Sequence, residues 1–226
     1  GVDPTDCSNI EANSDVKLLS QPSSSIEYLG MNMTKEHFKD QKVRQAINYA
    51  IDKQALVDTI VEGRGTVANS YINNTIPGWT DEVEAYPYDP AKAKEYYEKA
   101  LEECGLTSLT LTLQYNETSA NNKAASEFLH KSLPEVFGDS FTLELMAGST
   151  SVLNSYIKGW KEGDPNSFEL QWRGWNTSTP APWNGLKVYS SMYSNKNEPY
   201  YNDEFDALWE KANYDIEAKL DPAYRM

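Results

Sequence analysis

The stretch from Ile26 to Gly65, IEYLGMNMTKEHFKDQKVRQAINYAIDKQALVDTIVEGRG, restricts the possible folds more than any other part of the chain. It opens with a short apolar and polar alternation around Tyr28, Leu29 and Met31, passes through a polar turn, and then becomes strongly periodic. Val43, Ala46, Ile47, Ala50 and Ile51 recur at helical spacing and share one face, which must be buried. Asp52 is placed to cap a second helical run carrying Leu56, Val57, Ile60 and Val61, and Gly63 and Gly65 supply its stop. The nucleus is therefore a strand feeding two consecutive helices.

The rest of the chain extends this pattern on both sides. Upstream, Pro4–Ala12 reads as a short helix with Asp3 as its cap. Residues 66–88 hold no sustained period, and Pro77, Gly78 and Pro87 mark them as a loop. Asp89 followed by Pro90 opens a helix whose inward stripe is Ala93, Tyr96, Tyr97, Ala100, Leu101 and Cys104, with Gly105 ending it. Leu109, Leu111, Leu113 and Tyr115 alternate with polar residues as a strand does; so do Phe141, Leu143 and Leu145, and later Phe168, Leu170 and Trp172. Between these strands lie helical patterns at 121–133, with Ala125, Phe128 and Leu129 inward, and at Val152, Tyr156, Ile157 and Trp160. A further helix is expected over Asp203–Ile216 from Phe205, Leu208, Trp209 and Ala212, and Asp221–Met226 reads as the start of another. Strands alternating with helices predict an α/β fold with a mixed or largely parallel sheet.

Composition narrows the function. The net charge of -14 argues against nucleic acid, whose phosphates need clustered Lys and Arg. No apolar run approaches the roughly 20 residues that span a bilayer, and Gly1–Ser20 lacks the charged start and apolar middle of a secretory signal. Cys7 and Cys104 are too few and too distant for a disulfide framework or zinc motif, and the sequence leaves open whether they pair. The acidic group Asp81, Glu82 and Glu84 has no companion His, while His37 and His130 are far apart, so no metal or other cofactor is expected. No phosphate-cradling or nucleophile-elbow motif occurs, and no catalytic residue is assigned.

The candidate site is the loop expected after the third strand, Arg173–Leu186, RGWNTSTPAPWNGL. Ligands of open α/β sheets sit beyond the carboxyl ends of strands, and this segment leaves such an end carrying Trp175, Asn176, Ser178 and Thr179. The plainer alternative is a surface loop pinned by Trp175 and Trp183.

In wording, Tyr28, Leu29, Gly30 and Asn32, then Val43, Arg44, Gln45, Ala46, Tyr49, Ala50, Ile51, Asp52, Lys53, Val57, Gly63 and Gly65, follow "YLGFN … VRQALxYAIDRxxIVxxxxxGxG". That text resembles the start of the second lobe in family 5 extracellular solute-binding proteins, the peptide and nickel receptors of ABC importers. YDPAKAKEYYEKALEECG is similar to the family's "YDPEKAKxLLxEAG". The resemblance implies a periplasmic-binding-protein-like lobe of type II, cluster C, with a mixed sheet flanked by helices. Residues 1–25 would be the tail of a first lobe and the approach to the hinge. Residues 26–226 would be the second lobe, cut before its return, so that the chain starts mid-protein. Where relatives often carry paired prolines this chain has Asn73 and Asn74.

The implied function is capture of an extracytoplasmic peptide or related solute by closure of two lobes, and delivery to ABC permease subunits. The implied protein is a monomer, outside the cytoplasm, touching the membrane only through a lipid anchor beyond this stretch. Ligand contacts are expected from Asn32 near the cleft, Tyr115, Asn116, Trp172, Arg173, Trp175, Asn176 and Ser178. Peptide-binding relatives carry text similar to "GWxADYPDP", whose first Asp holds the peptide's free amino group. Gly174, Trp175, Pro180 and Pro182 match, but Ser178 and Ala181 replace the acids. Some dipeptide receptors place an Arg for the ligand carboxylate where this chain has Tyr115, Asn116 and Glu117. The expectation is a longer peptide bound mainly through its backbone, or a neutral solute such as an oligosaccharide. The acidity and the six tryptophans motivate a carboxylate glycoside hydrolase as the alternative, and exposed aromatics a protein interaction domain.

Overall fold

The computed structural model of the protein describes residues 2, 4–161, 164, 167–177, 185–190 and 202–214. A four-stranded sheet forms its centre. The strands are β1 (Ser25–Met31), β2 (Leu109–Asn116), β3 (Phe141–Gly148) and β4 (Leu170–Asn176), in the order β1-β4-β2-β3. β2 runs parallel to both β3 and β4, while β1 lies antiparallel along the outer side of β4, so the sheet is mixed.

Helices α1 (Pro4–Glu11), α2 (Glu36–Lys39), α3 (Gln41–Ala50), α4 (Lys53–Ile60) and α5 (Pro90–Glu103) precede β2. The strongly periodic stretch folds as expected into two successive helices, and the Asp52 carboxylate accepts from Ala55 N at 2.9 Å to cap the second. The preceding polar segment contains the extra turn α2, after which Asp40 caps α3 by accepting from Lys42 N at 2.7 Å. Asp89 caps α5 through Lys92 N, with Pro90 in the first turn. At its other end Leu106 N reaches Leu101 O and Gly105 N reaches Glu102 O, the paired closure that needs a left-handed residue, and Gly105 has φ +65°. The α5 stripe is narrower than expected: Ala93, Tyr97 and Ala100 are buried but Cys104 is exposed, and Cys7 and Cys104 do not pair in a disulfide.

Two crossovers complete the sheet: α6 (Ala120–Phe137) joins β2 to β3, and α7 (Thr150–Lys161) joins β3 to β4. They step across the sheet in opposite directions, so right-handed connections place them on opposite faces. On the α6 face the main core packs Ala46, Ala50, Ala93 and Ala100 of α3 and α5 with Leu111, Leu113, Leu129, Leu133 and Phe38. The alanines let α3 and α5 approach closely. On the α7 face Ile157 and Phe168 form a smaller cluster. The helical face of α7 is Leu153 and Ile157, with Val152 43% exposed. A short 3-10 turn spans Lys187–Tyr189, and α8 (Asp203–Tyr214) closes the described chain with Leu208 exposed. Asp3, the end of the helix expected to reach Ile216, and Asp221–Met226 lie outside the described residues.

Candidate functional site

Three parallel strands deliver their carboxyl ends to one rim. Asn116 of β2 is level with Gly148 of β3, and Gln114 is level with Gln171 of β4. β4 therefore runs on past β2 and β3 to Asn176. The segment expected to be loop from Arg173 onward is strand for its first four residues, because all seven residues of β4 pair with β1. The pairing is non-local and leaves no mark in the local sequence.

Alternation divides the projecting tip. Trp172, Gly174 and Asn176 share one face with Leu29, Glu27 and Ser25 of β1; Arg173 and Trp175 share the other with Tyr28 and Ile26. Trp172 is half-buried against the main core. Tyr115 is buried at 7% exposure. Asn116 is engaged in place: its Oδ1 accepts from Thr118 N and Oγ1, and its Nδ2 donates to Thr150 Oγ1 at 3.2 Å. Asn176 Oδ1 accepts from Ser24 Oγ at 3.1 Å, which also donates to Thr177 O. Ser178, Thr179, Ala181 and Trp183 lie outside the described residues.

Asn32 belongs elsewhere. Expected beside the cleft, it sits at the amino end of β4, wholly buried, with its backbone N–H on Glu169 O. Its side chain donates to Ser167 Oγ and Phe168 O and accepts from Thr34 N and Oγ1. The antiparallel register is the reason: β1 enters at the rim with Ser25 beside Asn176 and leaves at the far end, one residue before Asn32.

The rim also gathers groups that sequence reasoning missed. Residues 70–76 fold against it: Asn73 Nδ2 donates to Ser23 O and Ser25 O, and Thr75 Oγ1 donates to Ser23 O. Tyr71 stands edge-on between Tyr28 and Tyr189, at 5.1 and 4.9 Å between ring centres. Trp175 lies 6.0 Å beneath the Lys187 ammonium. Its Nε1, and Thr177 Oγ1, are buried, and among the described residues no hydrogen bond meets either. Buried polar atoms are nearly always satisfied, so such a pair at a rim is what a binding wall would present. Glu27 lies across Gly174, where an added Cβ would fall 2.5 Å from its Oε1. The residue as a whole is exposed, yet burial of its carboxyl pushes the pKa up, while the Trp172 indole N–H donating to it pulls the other way.

The weaker candidates are dispersed. His130 Nδ1 is bonded to Leu143 O at 2.6 Å, and His37 Nε2 stands 3.8 Å from Glu169 at the far end of the sheet. Among the described residues no group of three or more His, Cys, Asp or Glu is arranged to hold a metal ion, and no helix is long and apolar enough to cross a membrane.

The family described as bacterial extracellular solute-binding proteins, family 5, middle region, matches residues 1–197. The chain is 30% identical over 221 residues to the heme-binding protein A of Haemophilus influenzae, covering 95% of this chain and 39% of that protein. It is 31% identical over 191 residues to the glutathione-binding protein GsiB of Escherichia coli, covering 84% and 35% respectively. The fold superposes on the ABC transporter substrate-binding protein CtaP of Listeria monocytogenes with a TM-score of 0.80 at 25% identity, covering 93% of this chain and 42% of that one. The chain thus spans well under half the length of these proteins.

Proposed function

The chain belongs to the family 5 bacterial extracellular solute-binding proteins, and we propose that it is one lobe of a two-lobed receptor serving an ABC importer. It captures a peptide or related solute outside the cytoplasm and presents it to the permease. Its fold is that of the peptide-binding proteins it superposes on. The observation that carries the reading is the rim itself, where β4 projects beyond β2 bearing Trp175 and Thr177 with buried, unmet polar atoms. Those atoms suit a solute that supplies hydrogen bonds on closure. Asn116, Arg173, Trp175 and Asn176 line the rim in the proposal, with Tyr115 and Trp172 supporting it from below; Ser178 is expected to join them from its place next in the sequence but lies outside the described residues. Asn32 has a structural role. Binding is noncovalent, and the reading needs neither a catalytic residue nor a cofactor. The wall is half of a cleft, and burying the usual 70 to 90 per cent of a ligand, roughly, takes surfaces on both sides.

Native mass spectrometry of the intact receptor as purified tests this. A co-purified solute lost on replacement of Trp175 by Ala is the expected result. Unchanged retention of solute by that variant would remove the rim from the site.

A further inference from the structure

Resting on the receptor reading, we infer that Glu27 supplies the negative charge that receives a cationic group of the solute, an ammonium or guanidinium, at the tip of β4, on the face it shares with Asn176 and opposite Trp175. The segment Arg173–Leu186 holds no acid of its own. β1 brings one to it, because the antiparallel register sets Glu27 opposite Gly174, two residues from the tip. Only a glycine there lets the carboxylate lie across β4, since any Cβ would meet Oε1 at 2.5 Å and Cδ at 3.1 Å.

The carboxylate is held but not neutralised. The Trp172 indole donates to it, and it takes part in none of the ion pairs among the described residues. Arg173 is next to Gly174 in sequence, but alternation directs it to the opposite face beside Tyr28. A partly desolvated carboxylate without a cation is unfavourable, and the burial that raises its pKa is the same cost seen as proton affinity. An arriving ammonium offsets that cost through a charge-assisted hydrogen bond. Exposure of the residue leaves the approach open.

The test uses the intact two-lobed receptor and two pools of tetrapeptides built from uncharged residues, one with free and one with acetylated amino termini. Retention is read by native mass spectrometry. The wild type is expected to favour the free-amine pool by about tenfold, the scale of one charge-assisted contact. Glu27→Gln should bring the two pools level, and Glu27→Asp should restore part of the preference. A preference that survives Glu27→Gln, or is absent from the wild type, overturns the assignment. Equal loss of both pools in Glu27→Gln also overturns it, because the residue would then act on closure. If no pool is retained by any version, the receptor reading for peptides fails and takes this assignment with it.

Discussion

At the amino end of β4 the side chain of Asn32 takes part in four hydrogen bonds and is wholly buried, whereas at the carboxyl end Trp175 Nε1 and Thr177 Oγ1 are buried and meet none among the described residues. Asn32 is thus fully met at one end of the strand, while Trp175 and Thr177 at the other are not. Satisfied polar groups in a core fix a unique packing, while unmet ones subtract from stability unless something else supplies their partners. The amino end has exceptions of its own: Gln171 Oε1 on β4, Gln114 Oε1 level with it on β2, and His37 Nε2, which stands 3.8 Å from Glu169. In the proposed reading, Asn32 helps specify the shape of the molecule, and Trp175 and Thr177 are groups held for a solute.

The contrast can be broken most directly at Asn32. Replacing it by Ala strands the buried Ser167 hydroxyl and Phe168 O and removes the acceptor of Thr34 N, and should cost about 3 kcal/mol in urea unfolding. Solute affinity measured well below the unfolding midpoint should stay unchanged; a loss there would return Asn32 to the site. Asn73→Asp is the next largest effect. It keeps the acceptor for Thr75 N and Oγ1 but loses both donations to Ser23 O and Ser25 O, for about 1–2 kcal/mol. Amide exchange should quicken at the start of β1 and not in β2.

Thr177→Val goes the other way. It removes an unmet hydroxyl at nearly constant volume, so stability should hold or rise by up to about 1 kcal/mol while solute binding weakens. A destabilised Thr177→Val protein would mean that the hydroxyl already has a structural task. The smallest effect concerns His37. Burial lowers its pKa, with the opposing pull of Glu169 and the reinforcing push of Lys35 both weaker. A folded pKa below the unfolded one means that the unfolded chain takes up the proton first as pH falls. The stability tied to neutral His37 is therefore complete above the unfolded value of about 6.5 and is lost progressively below it. Between about pH 7.5 and about pH 5.5 the midpoint should fall less in His37→Leu than in the wild type.

The elements closest to periodic were the most legible. Helices α3, α4 and α5 with the caps Asp52 and Asp89, strands β2 and β3, and the mixed sheet all follow from local pattern and capping chemistry. Asp40, ahead of Gln41, carried a readable capping signal as well. The reach of β4 to Asn176 was hidden because it depends on pairing with a strand some 150 residues earlier, as was the placing of Asn32 away from the rim. Glu27 escaped notice for the same reason: a single charged residue in an alternating strand reads as solvent-facing until its neighbour across the ladder is known to be a glycine. The site could be sensed from aromatic and amide residues after a strand, but its division between two faces is a property of register.

The short run Ser23–Ser25 is made fast on two sides, by Asn73 and Thr75 from one flank and by Asn176 and Thr177 O through Ser24 from the other. A strap moored in that way cannot serve as its own pivot. Bending of the chain relative to this lobe is left to the residues before Ser23, where 11–22 are exposed apart from a half-buried Leu18. In the two-lobed receptor proposed above, motion arriving along them would pass directly to the base of the proposed wall.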